Sequence, residues 1–125
     1  MINRKQSFPN LSVDEIEKII CKELDVNKAE DVVSVDLKGK TDVADRMVVA
    51  TGISSRHVAA LADYIVTALK KAGYETVPTE GKESGEWILV DAGDVIVHIF
   101  KADIRERYNL EKMWSALDSS REIAF

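Results

Sequence analysis

Residues Gly85–Ser115 have the sequence GEWILVDAGDVIVHIFKADIRERYNLEKMWS, and the first half of this stretch decides the fold. Trp87–Asp91 and Asp94–Phe100 are rich in β-branched and aromatic residues, which favour extended structure. Between them stand Ala92 and Gly93, and glycine permits the positive φ that a tight turn needs. The stretch therefore predicts a β-hairpin made of two strands.

The second half of the stretch predicts a helix that ends near Trp114. Asp103 and Glu106 have the spacing of a capping box, in which two side chains satisfy backbone amides at the start of a helix. The whole stretch holds both tryptophans and one of the two histidines of the chain, yet it offers no evident catalytic set. These residue types favour a protein that binds a partner.

Two helices and three strands are predicted before the hairpin. Ser12 and Glu15 form a capping-box pattern ahead of apolar residues at helical spacing, and Ser54 or Ser55 caps a long second helix. Pro78 limits the last of the three strands, which favours a sheet edge or a strand end at this position. The strands are predicted at Asp31–Leu37, Arg46–Thr51 and Tyr74–Thr79. The order α-β-β-α-β-β-β-α indicates a single α/β domain with a mixed β-sheet of about five strands flanked by helices.

Composition and charge narrow the class of protein. The chain has 125 residues, of which 46% are hydrophobic, and this suffices for one core. A formal net charge of −5 argues against a broad surface that binds the phosphate backbone of a nucleic acid. We also expect no sequence-specific nucleic-acid binding. Cys21 is the single cysteine, which excludes an intrachain disulfide and suits a reducing compartment. Without an evident signal peptide or membrane-spanning run, we expect a cytoplasmic protein that does not enter membranes.

The side chains give little support to metal binding or nucleophilic catalysis. His57 and His98 lie far apart in sequence, and one cysteine cannot build a zinc site of the usual kinds. Cys21 adjoins the apolar face of the first helix, where thiols are usually inert. We therefore expect no metal, no cofactor and no catalytic residue.

The segment from Gly52 to His57 permits two interpretations. A strand, a glycine turn and a helix N-terminus together form a natural anion site, to which Arg56 would add positive charge. The segment lacks the further glycines of a dinucleotide fingerprint and the ending of a P-loop. Helix capping by Ser54 or Ser55 is the favoured interpretation, and a bound phosphate is the alternative.

Three aspartates, Asp36, Asp42 and Asp45, suggest an alternative function. The segment Gly39–Asp45 loosely resembles the phosphate loop and paired acids of nucleotidyltransferases, which are metal-dependent enzymes. Two-metal chemistry needs carboxylates that converge on ions about 3.5–4 Å apart. Asp42 and Asp45 are three residues apart and should diverge along an extended strand. A solvated loop or a contact surface is the favoured interpretation, with the enzyme as the alternative.

The aromatic residues of the opening stretch also permit two interpretations. Alternation along the strand gives one face Ile96, His98 and Phe100, and the other face Val95, Val97 and Ile99. If helices cover both sheet faces, all of these residues are core. If the helices are too few, part of the set is exposed, and tryptophan and tyrosine are enriched at binding hot spots. We expect Trp87 and Tyr108 at the surface and Trp114 as the aromatic residue most readily assigned to the core.

A series of short segments runs in unbroken order between residues 12 and 115. They are Asp36, Gly39-Lys40, Asp45–Gly52 (DRMVVATG), Ser54–Val58 (SSRHV), Glu80-Gly81, Trp87, Val90-Asp91, Gly93–His98 (GDVIVH), Tyr108 and Leu110–Trp114 (LEKMW). Together these segments resemble the ribosomal silencing factor family, also called the Iojap family. Agreement over most of the chain is far more specific than any single motif.

The resemblance implies a nucleotidyltransferase-like α/β fold without the catalytic acids. It also implies binding to universal large-subunit ribosomal protein 14, on the face of the large subunit where the small subunit docks. Such a factor sterically blocks subunit joining and lowers translation when nutrients are scarce, and members of the family can form homodimers. On this basis we expect a flexible arm at residues 1–11, the silencing-factor domain at 12–117 and a tail at 118–125.

We expect the partner to contact the hairpin and the helix that follows it. A ribosomal protein is typically basic, so acidic residues would steer docking, while aromatic residues would supply buried contact area. The predicted contact residues are Trp87, Asp91, Asp94, Ile96, His98, Phe100, Tyr108, Leu110 and Glu111. The alternative, a metal-dependent nucleotidyltransferase-like enzyme, would instead use the three aspartates named above.

Overall fold

The computed structural model describes residues 9–108, and of residues 107 and 108 the backbone alone. Its elements are α1 (Val13–Val26), β1 (Glu30–Asp36), β2 (Arg46–Gly52), α2 (Ser55–Lys71), β3 (Thr79–Glu80), β4 (Trp87–Asp91), β5 (Val95–Lys101) and α3 (Ala102–Tyr108). The strands form one sheet in the order β1-β2-β5-β4-β3. Strands β2 and β5 run parallel, and the other neighbouring pairs run antiparallel. The prediction of an α/β domain with a mixed five-stranded sheet is therefore confirmed.

Both long helices begin where serine side chains cap them. Ser12 Oγ accepts a hydrogen bond from the amide of Glu15 at 3.1 Å, and Glu15 Oε1 accepts one from the amide of Ser12 at 3.0 Å. Ser54 Oγ accepts from the amide of His57 at 3.1 Å, so Ser54 rather than Ser55 is the N-cap of α2. These bonds satisfy amides that have no partner within a helix, which fixes where each helix starts.

One face of the sheet, called here the inner face, is covered by α1 and α2. It holds the larger hydrophobic core, whose helical members include Ile16, Ile20, Leu24, Val58, Leu61, Ile65 and Leu69. The strands contribute Val48, Ala50, Ile88, Val90, Val95, Val97 and Ile99. Burial of each aliphatic side chain contributes about 1.5–3 kcal/mol. The inner face is therefore the main source of stability.

The opposite face, called here the outer face, is covered in part by α3. Ile104 of α3 joins a smaller buried cluster that contains Leu37, Met47, Val49 and Phe100. Val35 and Trp87 are partly buried and pack against this cluster. Because α2 follows β2 onto the inner face and α3 follows β5 onto the outer face, the two parallel strands lie between two cores.

The segment Tyr74–Thr79, predicted as a strand, is extended β-structure only from Thr79. Tyr74 is buried in the inner core, and its hydroxyl donates a hydrogen bond to the carbonyl of Ala92 at 2.8 Å. Pro78 has no amide to donate, and its carbonyl accepts from the amide of Asp91 at 2.9 Å. The β-forming residues here serve core packing instead of strand pairing, so most of this strand prediction was wrong.

The predicted cap of the last helix also differs. Helix α3 begins at Ala102, directly after β5, so Asp103 lies within its first turn instead of at its N-cap. A carboxylate in the first turn still interacts favourably with the helix dipole. The predicted end of this helix at Trp114 lies outside the described residues.

Candidate partner-binding face

The predicted contact residues of the hairpin share the outer face. In the antiparallel register, Trp87 pairs with Phe100, Leu89 with His98, and Asp91 with Ile96. The three β4 members, Trp87, Leu89 and Asp91, are partly exposed, whereas their β5 partners are buried. We call Trp87, Leu89 and Asp91 the β4 row. The face assignments predicted from alternation along β5 are confirmed.

The β5 members of the predicted contact set lie in the interior. Ile96 is 5% exposed, His98 2% and Phe100 0%. Strand β5 lies between β2 and β4, and Phe100 packs in one cluster with Ile104 of α3. The interpretation of these residues as core is therefore the right one for this conformation. In this conformation they offer almost no exposed surface, and their role as direct contacts stays a prediction.

An aromatic cluster connects the β4 row to the interior. The indole Nε1–H of Trp87 donates a hydrogen bond to Nδ1 of His98 at 3.0 Å. The ring of Trp87 lies 4.7 Å from that of Phe100, centroid to centroid, at an angle of 35°. The rings of His98 and Phe100 stack, with centroids 6.0 Å apart at 14°. Burial lowers the pKa of His98 to about 4, so the imidazole is neutral at pH 7 and its Nδ1 can accept.

The acidic residues near the hairpin turn also shape the backbone. Asp91 Oδ1 accepts a hydrogen bond from the amide of Gly93 at 2.9 Å, and Gly93 has a φ of +85°. This arrangement is an Asx turn, in which a side chain stabilises its own chain reversal. Asp94 presents an exposed side chain, while its carbonyl accepts from the amides of Asp45 and Arg46 at 2.9 and 3.1 Å. The acids predicted to steer docking therefore sit on a fixed turn.

Three of the predicted contacts cannot be placed on this face, and one residue of the face was not predicted. The side chain of Tyr108, together with Leu110 and Glu111, lies outside the described residues. Leu89 was not predicted as a contact, although it is partly exposed between Trp87 and Asp91. The sequence did contain a signal for Leu89, because alternation along β4 places it on the same face as its two neighbours in the row.

A buried arginine, which the sequence analysis missed, anchors α3 beside this face. Arg105 is 8% exposed, and its Nη1 donates to Thr51 Oγ1 at 2.7 Å and to the carbonyl of Asp31 at 2.5 Å. Asp31 has a φ of +48° at an irregularity in the β1–β2 register. Arg105 therefore joins the helix to the ends of two strands. Arginine on a helix is usually solvated, so no local pattern indicates this role.

The segment from Gly52 to His57 caps and joins helices. His57 Nδ1 accepts from the amide of Ile53 at 3.0 Å, and Nε2 lies 2.9 Å from the carbonyl of Asn27, to which it donates. His57 therefore connects the end of α1 to the start of α2. A Cβ on Gly52 would lie 2.7 Å from Cγ2 of Val58, so the glycine permits this close approach. The capping interpretation is confirmed.

The groups considered for catalysis include exposed aspartates and a partly buried cysteine. Asp36 and Asp42 are exposed, and Asp36 Oδ1 accepts from the amide of Lys38 at 3.1 Å. Within residues 9–108, no group of three or more His, Cys, Asp or Glu side chains is placed to hold a metal ion. Cys21 is partly buried, and burial raises the pKa of its thiol, which therefore stays protonated at neutral pH.

The length of the described helices bears on membrane association. In the part of the chain that the structure describes, no helix combines the length and apolar character needed to cross a bilayer.

Comparisons with known proteins agree with this architecture and with the sequence motifs. A family model described as "Ribosomal silencing factor during starvation" matches residues 10–124. A ribosomal silencing factor from Haemophilus influenzae is 50% identical over 92 residues, which are 74% of this chain and 90% of the relative. A crystal structure of a protein from Chromobacterium violaceum superposes with a TM-score of 0.80 at 40% identity and covers 92% of each chain.

A more distant relative extends the comparison. A mouse protein named "Mitochondrial assembly of ribosomal large subunit protein 1" is 29% identical over 99 residues, which are 77% of this chain and 43% of that protein. The family model covers nearly the whole chain, and the bacterial relatives match it along most of their own length. The chain belongs to the ribosomal silencing factor family, which confirms the resemblance found in the sequence.

Proposed function

We propose that this protein is a translational repressor that binds the large ribosomal subunit and sterically blocks joining of the small subunit when nutrients are limiting. Family membership over residues 10–124 is the observation that carries the proposal. The name of the mouse relative supports the large subunit as the site of action. We place this activity in the cytoplasm and assign no catalytic role to the chain.

The β4 row supplies the contact surface in this proposal. Trp87 is a large, partly exposed aromatic residue with an indole fixed from behind by His98 and Phe100. Leu89 adds apolar area beside it. Rigid aromatic anchors with adjacent apolar surface are the residues that dominate binding energy at interfaces. Tyr108, Leu110 and Glu111 stay part of the proposed surface on the basis of the family resemblance.

Charge favours a basic partner. The chain has a net charge of −5, and Asp91 and Asp94 stand beside the aromatic anchor. Opposite charges accelerate encounter and disfavour wrong partners, although exposed acids contribute little to affinity by themselves. Universal large-subunit ribosomal protein 14, the partner implied by the family, is the basic protein that we propose. A homodimer in the absence of ribosomes is a prediction that sedimentation equilibrium checks.

The experiment is gradient co-sedimentation of the purified protein with separated ribosomal subunits, combined with a subunit-joining assay. We expect the protein to migrate with large subunits and to prevent joining. Trp87→Ala should weaken binding by about 2 kcal/mol or more, which is about 30-fold. Tyr64→Ala is the matched control, since Tyr64 is an aromatic residue 49% exposed on α2, across the sheet from the β4 row.

Two outcomes would overturn the proposal. One is failure of the protein to migrate with large subunits at low salt. The other is a folded Trp87→Ala variant that binds as tightly as the unchanged chain. The enzyme alternative is checked separately by calorimetric titration with ATP and magnesium. A heat of binding that Asp42→Asn abolishes would support the enzyme.

A further inference from the structure

We infer that His98 is a positioning residue for Trp87, which holds the indole ring in the orientation that the partner meets. The inference rests on the proposed function, because it assumes that Trp87 contacts the ribosome. It changes the role of His98 from a contact, as the sequence suggested, to a support behind the contact.

The positions of the two side chains suit different roles, Trp87 as the contact and His98 as its support. His98 is 2% exposed, so it cannot itself supply contact area, whereas Trp87 is partly exposed. Trp87 pairs directly with Phe100, which places His98 at the diagonal position on the same face. From there Nδ1 of His98 meets the indole Nε1–H at 3.0 Å, while the phenyl ring of Phe100 packs on the indole at 4.7 Å. Trp87 is thus held by a directional bond from its indole and by ring contacts with both His98 and Phe100.

A purely packing role does not account for a histidine at this position. An aliphatic residue of similar volume would fill the space without a polar group to desolvate, so the burial of an imidazole here calls for a compensating hydrogen bond such as the one at Nδ1. The ring is buried in its neutral form, and the lone pair on Nδ1 points to the indole. A directional acceptor fixes the rotamer of Trp87, which hydrophobic packing alone does not do.

Fixing one large side chain before binding should raise the affinity for the partner by a measurable factor. Ordering a rotamer-rich side chain at an interface costs about 0.5–1.5 kcal/mol, which corresponds to about 2- to 13-fold in affinity. Loss of the hydrogen bond, with the indole still present, should therefore weaken binding by about 2- to 13-fold. Loss of the indole itself should weaken it by about 30-fold.

The first measurement concerns the bond itself in the unchanged protein. In a ¹⁵N-labelled sample, a scalar coupling across the hydrogen bond should connect Nε1 of Trp87 with Nδ1 of His98. The indole signal of Trp87 is assigned by its absence in Trp87→Phe. A missing coupling, together with an indole proton that exchanges as fast as in the unfolded chain, would overturn the inference without any substitution of His98.

The second measurement compares two variants of His98. His98→Leu removes the acceptor and keeps an apolar side chain, whereas His98→Asn places a carbonyl oxygen near the former Nδ1. We expect indole exchange to accelerate at least 10-fold in His98→Leu and to stay slow in His98→Asn. Binding to large subunits should fall about 2- to 13-fold in the leucine variant and recover in the asparagine variant.

The outcomes distinguish this inference from the proposed function. If Trp87→Ala binds normally, the proposed surface is wrong, whatever His98 does. If Trp87→Ala loses binding but His98→Leu, folded and with its indole released, binds normally, the surface stands and the positioning role is wrong. Equal loss in His98→Leu and His98→Asn, with indole protection kept in the latter, would likewise reject orientation as the cause.

Discussion

The inner and outer faces of the sheet are built on different principles. The inner face lies under two long helices and is lined almost entirely by aliphatic side chains. The outer face lies under one described helix of seven residues and combines a small apolar cluster with buried polar groups, His98, Thr51 and Arg105. Apolar burial stabilises without requiring a unique orientation, whereas directional bonds fix particular side chains. The inner face therefore mainly stabilises the fold, whereas the directional bonds of the outer face hold particular side chains in fixed orientations.

The largest expected effect lies on the inner face. Ile65→Ala removes a fully buried side chain of α2 and leaves a cavity, so the free energy of unfolding should fall by about 2–5 kcal/mol. Urea denaturation measures this loss as a lower midpoint with an unchanged slope. Ile53→Ala is the control, since Ile53 is 68% exposed and should change stability very little. A loss below about 1 kcal/mol for Ile65→Ala would contradict the assignment of the inner face as the main core.

Acid should weaken the outer face through His98. The folded pKa of His98 is about 4, below the ordinary value of 6.5, so the unfolded chain binds the proton more readily between these values. The stability that neutral His98 supports is complete above pH 6.5 and is lost as the pH falls towards 4. The loss amounts to about 3 kcal/mol.

Carboxylates titrate in the same range, so the measurement compares two proteins. The free energy of unfolding is determined at pH 7 and pH 4 for the unchanged chain and for His98→Asn. We expect the difference between the two pH values to be smaller in the variant, which has no imidazole to protonate. Identical pH dependence in both proteins would show that burial of His98 does not govern acid stability.

Removal of the anchor of α3 should have an intermediate effect. Arg105→Met keeps much of the aliphatic stem but removes the donors to Thr51 and to the carbonyl of Asp31. Hydrogen bonds to charged groups contribute about 1.5–3 kcal/mol, and we expect a loss of about 2 kcal/mol. Hydrogen exchange should show faster opening in α3 than in α2. Uniform acceleration in both helices would mean that Arg105 stabilises the whole fold instead of the outer face.

The smallest expected change in the free energy of unfolding concerns a polar group on the inner face. Tyr74→Phe removes the hydroxyl that donates to the carbonyl of Ala92, and burial raises the pKa of this tyrosine to about 12. We expect a loss of about 1 kcal/mol, measured by urea denaturation. Tyr64→Phe is the matched control, because Tyr64 is exposed. Should Tyr74→Phe cost more than Arg105→Met, the contrast drawn between the two faces would not hold.

Local chemistry explains which parts of the fold are predictable from the sequence. The capping serines, the hairpin turn and the alternation of faces depend on neighbours a few residues away, and these predictions are confirmed. The strand predicted at Tyr74–Thr79 failed because Tyr74 reaches the carbonyl of Ala92, 18 residues further along the chain. Propensity alone contains no information about such a contact.

The sequence indicated which residues belong to the candidate site, but it did not indicate which of them are buried. Alternation assigned Ile96, His98 and Phe100 to one face of their strand, yet whether that face is covered depends on where α3 packs. Arg105 bonds to the carbonyl of Asp31 across 74 positions of sequence, and no spacing rule indicates such a pair. The proposed function rests on family membership, which neither periodicity nor charge could indicate.

The pairing of β2 with β5 at the centre of the sheet has a consequence for synthesis of the chain. Residues 46–52 find their parallel neighbour only when residues 95–101 have been made. Until then, a nascent chain holds β1, β2 and both long helices beside an unpaired central edge, and such non-local pairing is intrinsically slow. Folding should therefore be completed late, after β5 has emerged. A product truncated before Val95 should aggregate or be degraded instead of forming a smaller stable domain.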